Sequence, residues 1–147
     1  MPGKATKMHV FESAVADGHQ WINEIDAELG VRDEHFALQL LRGVLHALRD
    51  RLGIDQTAHL SAQLPLLIRG LYYENWDPQP FPDHERSLDD FIDRVRPAIV
   101  GYDPYALEAD VGAVFRVLQR HVSFGEGEKI AQSLPREIAE LWNANIA

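Results

Sequence analysis

The sequence predicts an all-α protein, a compact helical bundle built from two related multi-helix units in tandem. Three observations carry this reading. Apolar residues recur at steps of three and four along almost the whole chain, the spacing of helices with one buried face. No segment shows the alternation of a half-buried strand. Shifting the sequence by 70 residues lays Trp21–Tyr73 over Phe91–Asn143 without a gap. In that register Ile22, Asp33, Val44, Leu48, Leu64, Pro65, Ile68 and Leu71 meet Ile92, Asp103, Val114, Leu118, Leu134, Pro135, Ile138 and Leu141. Other pairs are conservative, among them Ile25 with Val95, Leu60 with Ile130 and Tyr72 with Trp142. The shared positions are apolar or turn-forming, so the repeat specifies a fold and discloses no activity.

The first unit spans residues 1–73. Phe11, Val15, Ile22, Ile25 and Leu29 predict one long helix, with Gly18 as the place for a bend. Asp33 is the expected N-cap of the next, because its short carboxylate can accept from free backbone N–H groups. That helix carries the stripe Ala37, Leu40, Leu41, Val44, Leu45, Leu48 and Leu52, and Gly53 is expected to end it. Asp55 should cap a short helix running to about Gln63. Pro65 should open a final helix through Tyr73, since a proline loses no hydrogen bond in the first turn.

The second unit, residues 87–147, repeats the plan. Ser87 with Asp90, and Ser123 with Glu126, have the spacing of capping boxes. Phe91, Ile92, Val95 and Ile99 mark its first helix. Asp103-Pro104 reads as a start signal for the second, which carries Val111, Val114, Phe115, Leu118 and Val122. Ile130 and Leu134 belong to a short helix, and Pro135 begins the last. The connector, residues 74–86, holds three prolines with Trp76 and Phe81 and is too apolar for a free linker. Both rings are expected to tuck against the helices. Neither unit can cover its own stripes, so the two should pack face to face as one globular domain about a pseudo-twofold axis.

Composition narrows the function classes. The chain has 147 residues, 46% hydrophobic and 25% charged, enough to bury a core without staples. Cysteine is absent, which excludes disulfides, thiolate metal sites and cysteine nucleophiles. Met1–Val10 lacks the apolar core of a signal peptide, and no apolar run approaches a membrane span. A cytoplasmic location is expected, with no membrane partner. Net charge is −9, and residues 74–147 hold 14 acidic side chains against 7 basic ones. Such a surface repels nucleic acid.

Leu41–Pro78 reads LRGVLHALRDRLGIDQTAHLSAQLPLLIRGLYYENWDP. The Arg42–Leu52 block, the Ala62–Tyr73 block and Trp76-Asp77-Pro78 resemble the domain of unknown function 2267 (DUF2267), a family of small bacterial helical proteins. The Phe91 helix, Val114-Phe115 and Leu134-Pro135 continue the likeness over nearly the whole chain. The resemblance implies an all-helical tandem fold and no particular biochemical activity.

One cluster has the chemistry of a binding site. Arg42, His46 and Arg49 fall on one side of the second helix, with His35 and Gln39 extending that side and Arg69 placed to join from the last helix. Such a cationic notch suits a carboxylate, a phosphate or an acidic protein segment. The structural alternative is a solvated helix face, paired locally to acids such as Asp50. The second unit has Ala109, Gly112, Arg116 and Gln119 at the matching sites, which favours a role special to the first. Tyr73 and Trp76, with Tyr72, are amphipathic rings of the kind found at interfaces, or else core with a polar edge outward. Histidine spacing gives no metal or haem layout. Asp55 and His59 stand one turn apart without the companions that an ion needs. Gly125-Glu126-Gly127-Glu128-Lys129 puts two glutamates where phosphate would sit. No cofactor, metal or catalytic set is therefore expected. The sequence points to a protein-interaction or self-association module. The alternative is a small-ligand binder with an anionic or apolar guest between the units.

Overall fold

The computed structural model describes residues 8–78 and 86–144. Among them run α1 (His9–Glu28), α2 (Glu34–Arg49), α3 (Ile54–Ser61), α4 (Leu66–Tyr73), α5 (Leu88–Val95), α6 (Leu107–His121), α7 (Phe124–Ser133) and α8 (Arg136–Ala144). A short 3-10 helix, Arg96–Ile99, continues α5. The described residues contain no strand, and no helix of theirs is long and apolar enough to cross a membrane. The fold is all-α, as the periodicity predicts. Phe81 lies outside the described residues.

α2 is the central strut. Its stripe Leu40, Leu41, Val44, Leu45 and Leu48 is fully buried. The Asp33 carboxylate caps it, accepting from the backbone N–H of His35 at 2.8 Å and of Phe36 at 3.4 Å. α2 packs against α1, α4, α5, α6 and the 3-10 helix. One close approach depends on a missing side chain: a Cβ on Gly43 would stand 2.9 Å from Ala98 Cβ and 3.0 Å from the Val95 carbonyl oxygen. α1 lies on α6 as well as on α2 and α4, and α3 touches α7. The buried apolar side chains, from Trp21 to Trp142, form one continuous cluster drawn from both halves.

Several local expectations are corrected. Phe11 and Val15 belong to the apolar spacing that predicts α1, yet they are 62% and 49% exposed. Gly53 does not end α2 in a left-handed turn. The helix stops at Arg49, and Gly53 precedes α3 with an ordinary φ of −68°. Asp55 stands inside the first turn of α3, where it favours the helix dipole without capping. Asp103-Pro104 does not open α6, which begins at Leu107 with no side-chain cap. The chain leaves Ile99 through Gly101, at φ +95°, and lays Tyr102 on Phe36 of the first half at 5.2 Å. That long-range contact overrides the local start signal. Ser87 and Ser123 do cap, accepting from the N–H of Asp90 and Glu126. The second box is not reciprocal: Ser123 N–H donates to Gln63, and the Glu126 carboxylate accepts from Gln56.

Candidate functional site

Helix C-termini leave backbone carbonyls without partners. The predicted notch meets such an end. His46 Nε2 lies 2.7 Å from the Leu71 carbonyl oxygen, at the close of α4. Arg49 donates to the carbonyls of Tyr72 at 2.9 Å and Glu74 at 2.7 Å, and its Nε donates to Asp50 at 2.9 Å. Arg42 donates from Nε to the Glu74 carboxylate at 2.8 Å and from a terminal nitrogen to Gln39. The structure thus brings Arg42, His46 and Arg49 together, and the chain's own Glu74 supplies the carboxylate. Arg49 is only 5% exposed, while Arg42 and His46 keep a partly open edge.

Burial pushes the His46 pKa below the ordinary histidine value. The Leu71 hydrogen bond opposes this, Arg49 adds to the fall, and Glu74 and Asp50 oppose it. The ring is therefore neutral near pH 7, with Nε2–H donating to Leu71. Burial pushes the Tyr72 phenol up, so it stays protonated and donates to the Thr57 carbonyl at 3.2 Å.

Arg69 works on the other side of α4. It donates to the carbonyls of Ser61 at 3.0 Å and Leu64 at 2.9 Å, closing the turn after α3. The Tyr73 hydroxyl donates to Ser61 Oγ at 2.8 Å, and its ring packs beside Tyr72 and Trp76, each at 5.2 Å. Tyr73 and Trp76 adjoin the notch and remain partly exposed.

The second half holds a feature that the sequence reading missed. Gln119 follows Arg49 by 70 positions and repeats its bond without the charge, donating from Nε2 to the Trp142 carbonyl at 2.9 Å. Its Oε1 is buried with no hydrogen-bond partner, an arrangement that typically costs about 1–3 kcal/mol. Beside it, among α6, α7 and α8, opens a cavity of about 510 Å³. Val122, Ala131 and Trp142 contribute to its walls, and Phe124, 77% exposed, stands at the lip. Arg116 and Arg120 at the rim bond Glu28 and Glu24 of α1. A signal for this cavity existed in the repeat. Thr57, Ser61 and Tyr73 give way to the smaller Gly127, Ala131 and Asn143.

A family model described as an uncharacterised conserved protein (DUF2267) matches residues 18–141. The chain belongs to DUF2267. No curated protein matches it. His46 and Arg49 with the end of α4, Gln119, and α8 up to Leu141 lie within the DUF2267 span; Trp142 lies just beyond it, and the first turns of α1 lie before it. Those first turns present Val10, Phe11 and Val15 to solvent, as does Met8 just before them, and α4 beside them exposes Leu66 and Leu67. Val10, Ala14 and Leu66 line one shallow groove, and Leu67 sits against Gly18. Asp55 and His59 border an open depression that also takes in Lys129, a cation unsuited to a metal neighbour.

Proposed function

We propose that this DUF2267 protein is an interaction module that works by docking another protein chain, with a second copy of itself as the first candidate. The supporting observation is the exposed apolar strip of Met8, just before α1, and Val10, Phe11 and Val15 on it, with Leu66 and Leu67 on α4. A solvated helix would carry polar residues there, and contiguous apolar surface on a folded chain marks a contact face. The docking surface suggested by the sequence is the notch of Arg42, His46 and Arg49 with Arg69, Tyr73 and Trp76, but Arg69 is engaged at the turn after α3. A partner carboxylate there must first displace Glu74, which Arg42 already holds. We therefore place docking on the strip.

Sedimentation velocity on the wild type and on Phe11→Asp with Leu67→Asp tests this reading. The wild type should run as a dimer at tens of micromolar, and the double variant as a monomer with unchanged helicity. A photo-crosslinking residue at Val15 should capture a neighbouring chain in cells. Monomers in both samples, together with no crosslinked chain, would sink the proposal.

A further inference from the structure

We propose that the cavity among α6, α7 and α8 binds a neutral, wholly apolar aromatic molecule of two or three rings, held by packing and by no hydrogen bond. This site is separate from the apolar strip and does not depend on docking there.

At about 510 Å³ the cavity lies within the range of small-molecule pockets. The surface it presents is mostly carbon, to which Val122 and Ala131 contribute. Arg116 and Arg120 contribute as well. Their charged ends are bonded to Glu28 and Glu24 of α1, which leaves their methylene stems to the wall. The Phe124 ring at the lip is largely exposed, and a flat guest can stack on it. The polar groups favour neither a charge nor a donor. An anion finds both arginines engaged and meets Glu128 in the lining. A donor cannot reach Gln119 Oε1, which is sealed beneath the surface. Ser123, Gln132 and Asn143 are exposed and keep water as a partner.

The repeat shows why the space is open. Gly127 and Ala131, one turn apart on α7, stand at the places of Thr57 and Ser61. In the first half Thr57 and Ser61 are 1% and 7% exposed. Tyr73 helps to cover them: its hydroxyl donates to Ser61 at 2.8 Å, and its ring packs beside Tyr72 and Trp76. At the place of Tyr73 the second half has Asn143, exposed, and Gly127 and Ala131 keep part of their surface open. A Cβ on Gly127 would meet Val122 at 4.0 Å and nothing closer. The first half closes this place with an aromatic ring of its own chain. In the second half the place is uncovered, and a free aromatic ring fits it.

The test uses the full chain and N-phenyl-1-naphthylamine, a neutral probe that fluoresces in apolar surroundings. Saturable binding with a Kd on the order of 10–100 µM is expected. The 8-sulfonate of the same skeleton should bind roughly tenfold more weakly, because its charge has no partner in the cavity. Naphthalene and 1-naphthol should displace the probe with affinities within about threefold of each other, since the hydroxyl gains no buried bond. Gly127→Leu with Ala131→Leu fills the cavity and should abolish binding without lowering the melting temperature, because carbon enters open space and a helix glycine is removed. Phe124→Ala changes an exposed position and should weaken binding roughly fivefold with folding intact. That variant keeps the test decisive if the filled protein folds poorly. Phe11→Asp with Leu67→Asp, which disrupts the strip, should bind the probe as the wild type does. Four results overturn the proposal: no saturable binding, a sulfonate that binds as tightly as the neutral probe, a preference for 1-naphthol of about tenfold or more, or binding that survives Phe124→Ala and is lost in the strip variant.

Discussion

Arg49 and Gln119 show how little of a side chain's role its charge reveals. In sequence, the loss of the Arg42, His46 and Arg49 pattern from the second half favours a role special to the first. In the structure both residues donate to the backbone carbonyl of an aromatic residue near the end of a later helix, Tyr72 in α4 or Trp142 in α8, at 2.9 Å. The architectural need persists, and a neutral amide meets it in the second half. His46 makes the neighbouring bond and yields a pH prediction. Burial lowers its folded-state pKa, so the unfolded chain takes up the proton first. Its contribution to stability is complete above the unfolded value of about 6.5 and is lost as pH falls through the depressed folded value. Thermal melts at pH 7.5 and 5.5 should show a larger acid loss for the wild type than for His46→Gln, whose amide can still donate to Leu71. Equal losses would show that His46 does not titrate with folding.

At the scale of elements, helix existence was legible and helix ends were not. The α2 stripe, the Asp33 cap and the serine caps follow from three- and four-residue spacing and short oxygen-bearing side chains. The start of α6 was misread because Tyr102 packs on Phe36, a partner distant in sequence. Glycine carries a related lesson. Gly43 and Gly70 both sit inside helices, and propensity alone says that alanine should stabilise either. Their surroundings separate them. A Cβ on Gly43 meets Ala98 and Val95 at 2.9–3.1 Å, whereas one on Gly70 meets nothing within 4 Å. Gly43→Ala should cost about 1–3 kcal/mol through overpacking. Gly70→Ala should gain about 0.5–1 kcal/mol. Urea denaturation of the two variants measures both, and a matching sign would refute the close-approach account.

On the scale of the molecule, charge and shape act against each other. The chain carries a net −9, and Glu12 and Asp17 lie on the helix that bears the apolar strip. Two copies meeting at that strip repel through this charge while burying its apolar side chains. Raising the salt from about 0.01 to 0.1 M shortens the screening length from about 30 to 10 Å. Self-association should therefore strengthen over that range, by roughly several fold in sedimentation equilibrium. Association that weakens with salt would point instead to an ion-pair interface, such as the Arg42 notch.

The sequence by itself determined that the chain is helical, which faces of α2 and α6 are buried, and where most helices lie, because each depends on spacing within a single turn or cap. It also held the shrinkage from Thr57, Ser61 and Tyr73 to Gly127, Ala131 and Asn143. Only the tertiary structure decided what that shrinkage left behind, since a cavity is a property of three helices together. It also decided that Glu74 fills the cationic notch and that Phe11 and Val15 face solvent. Periodicity assigns a residue to a face of its helix. What covers that face depends on chain tens of residues away, and local spacing carries no information about it.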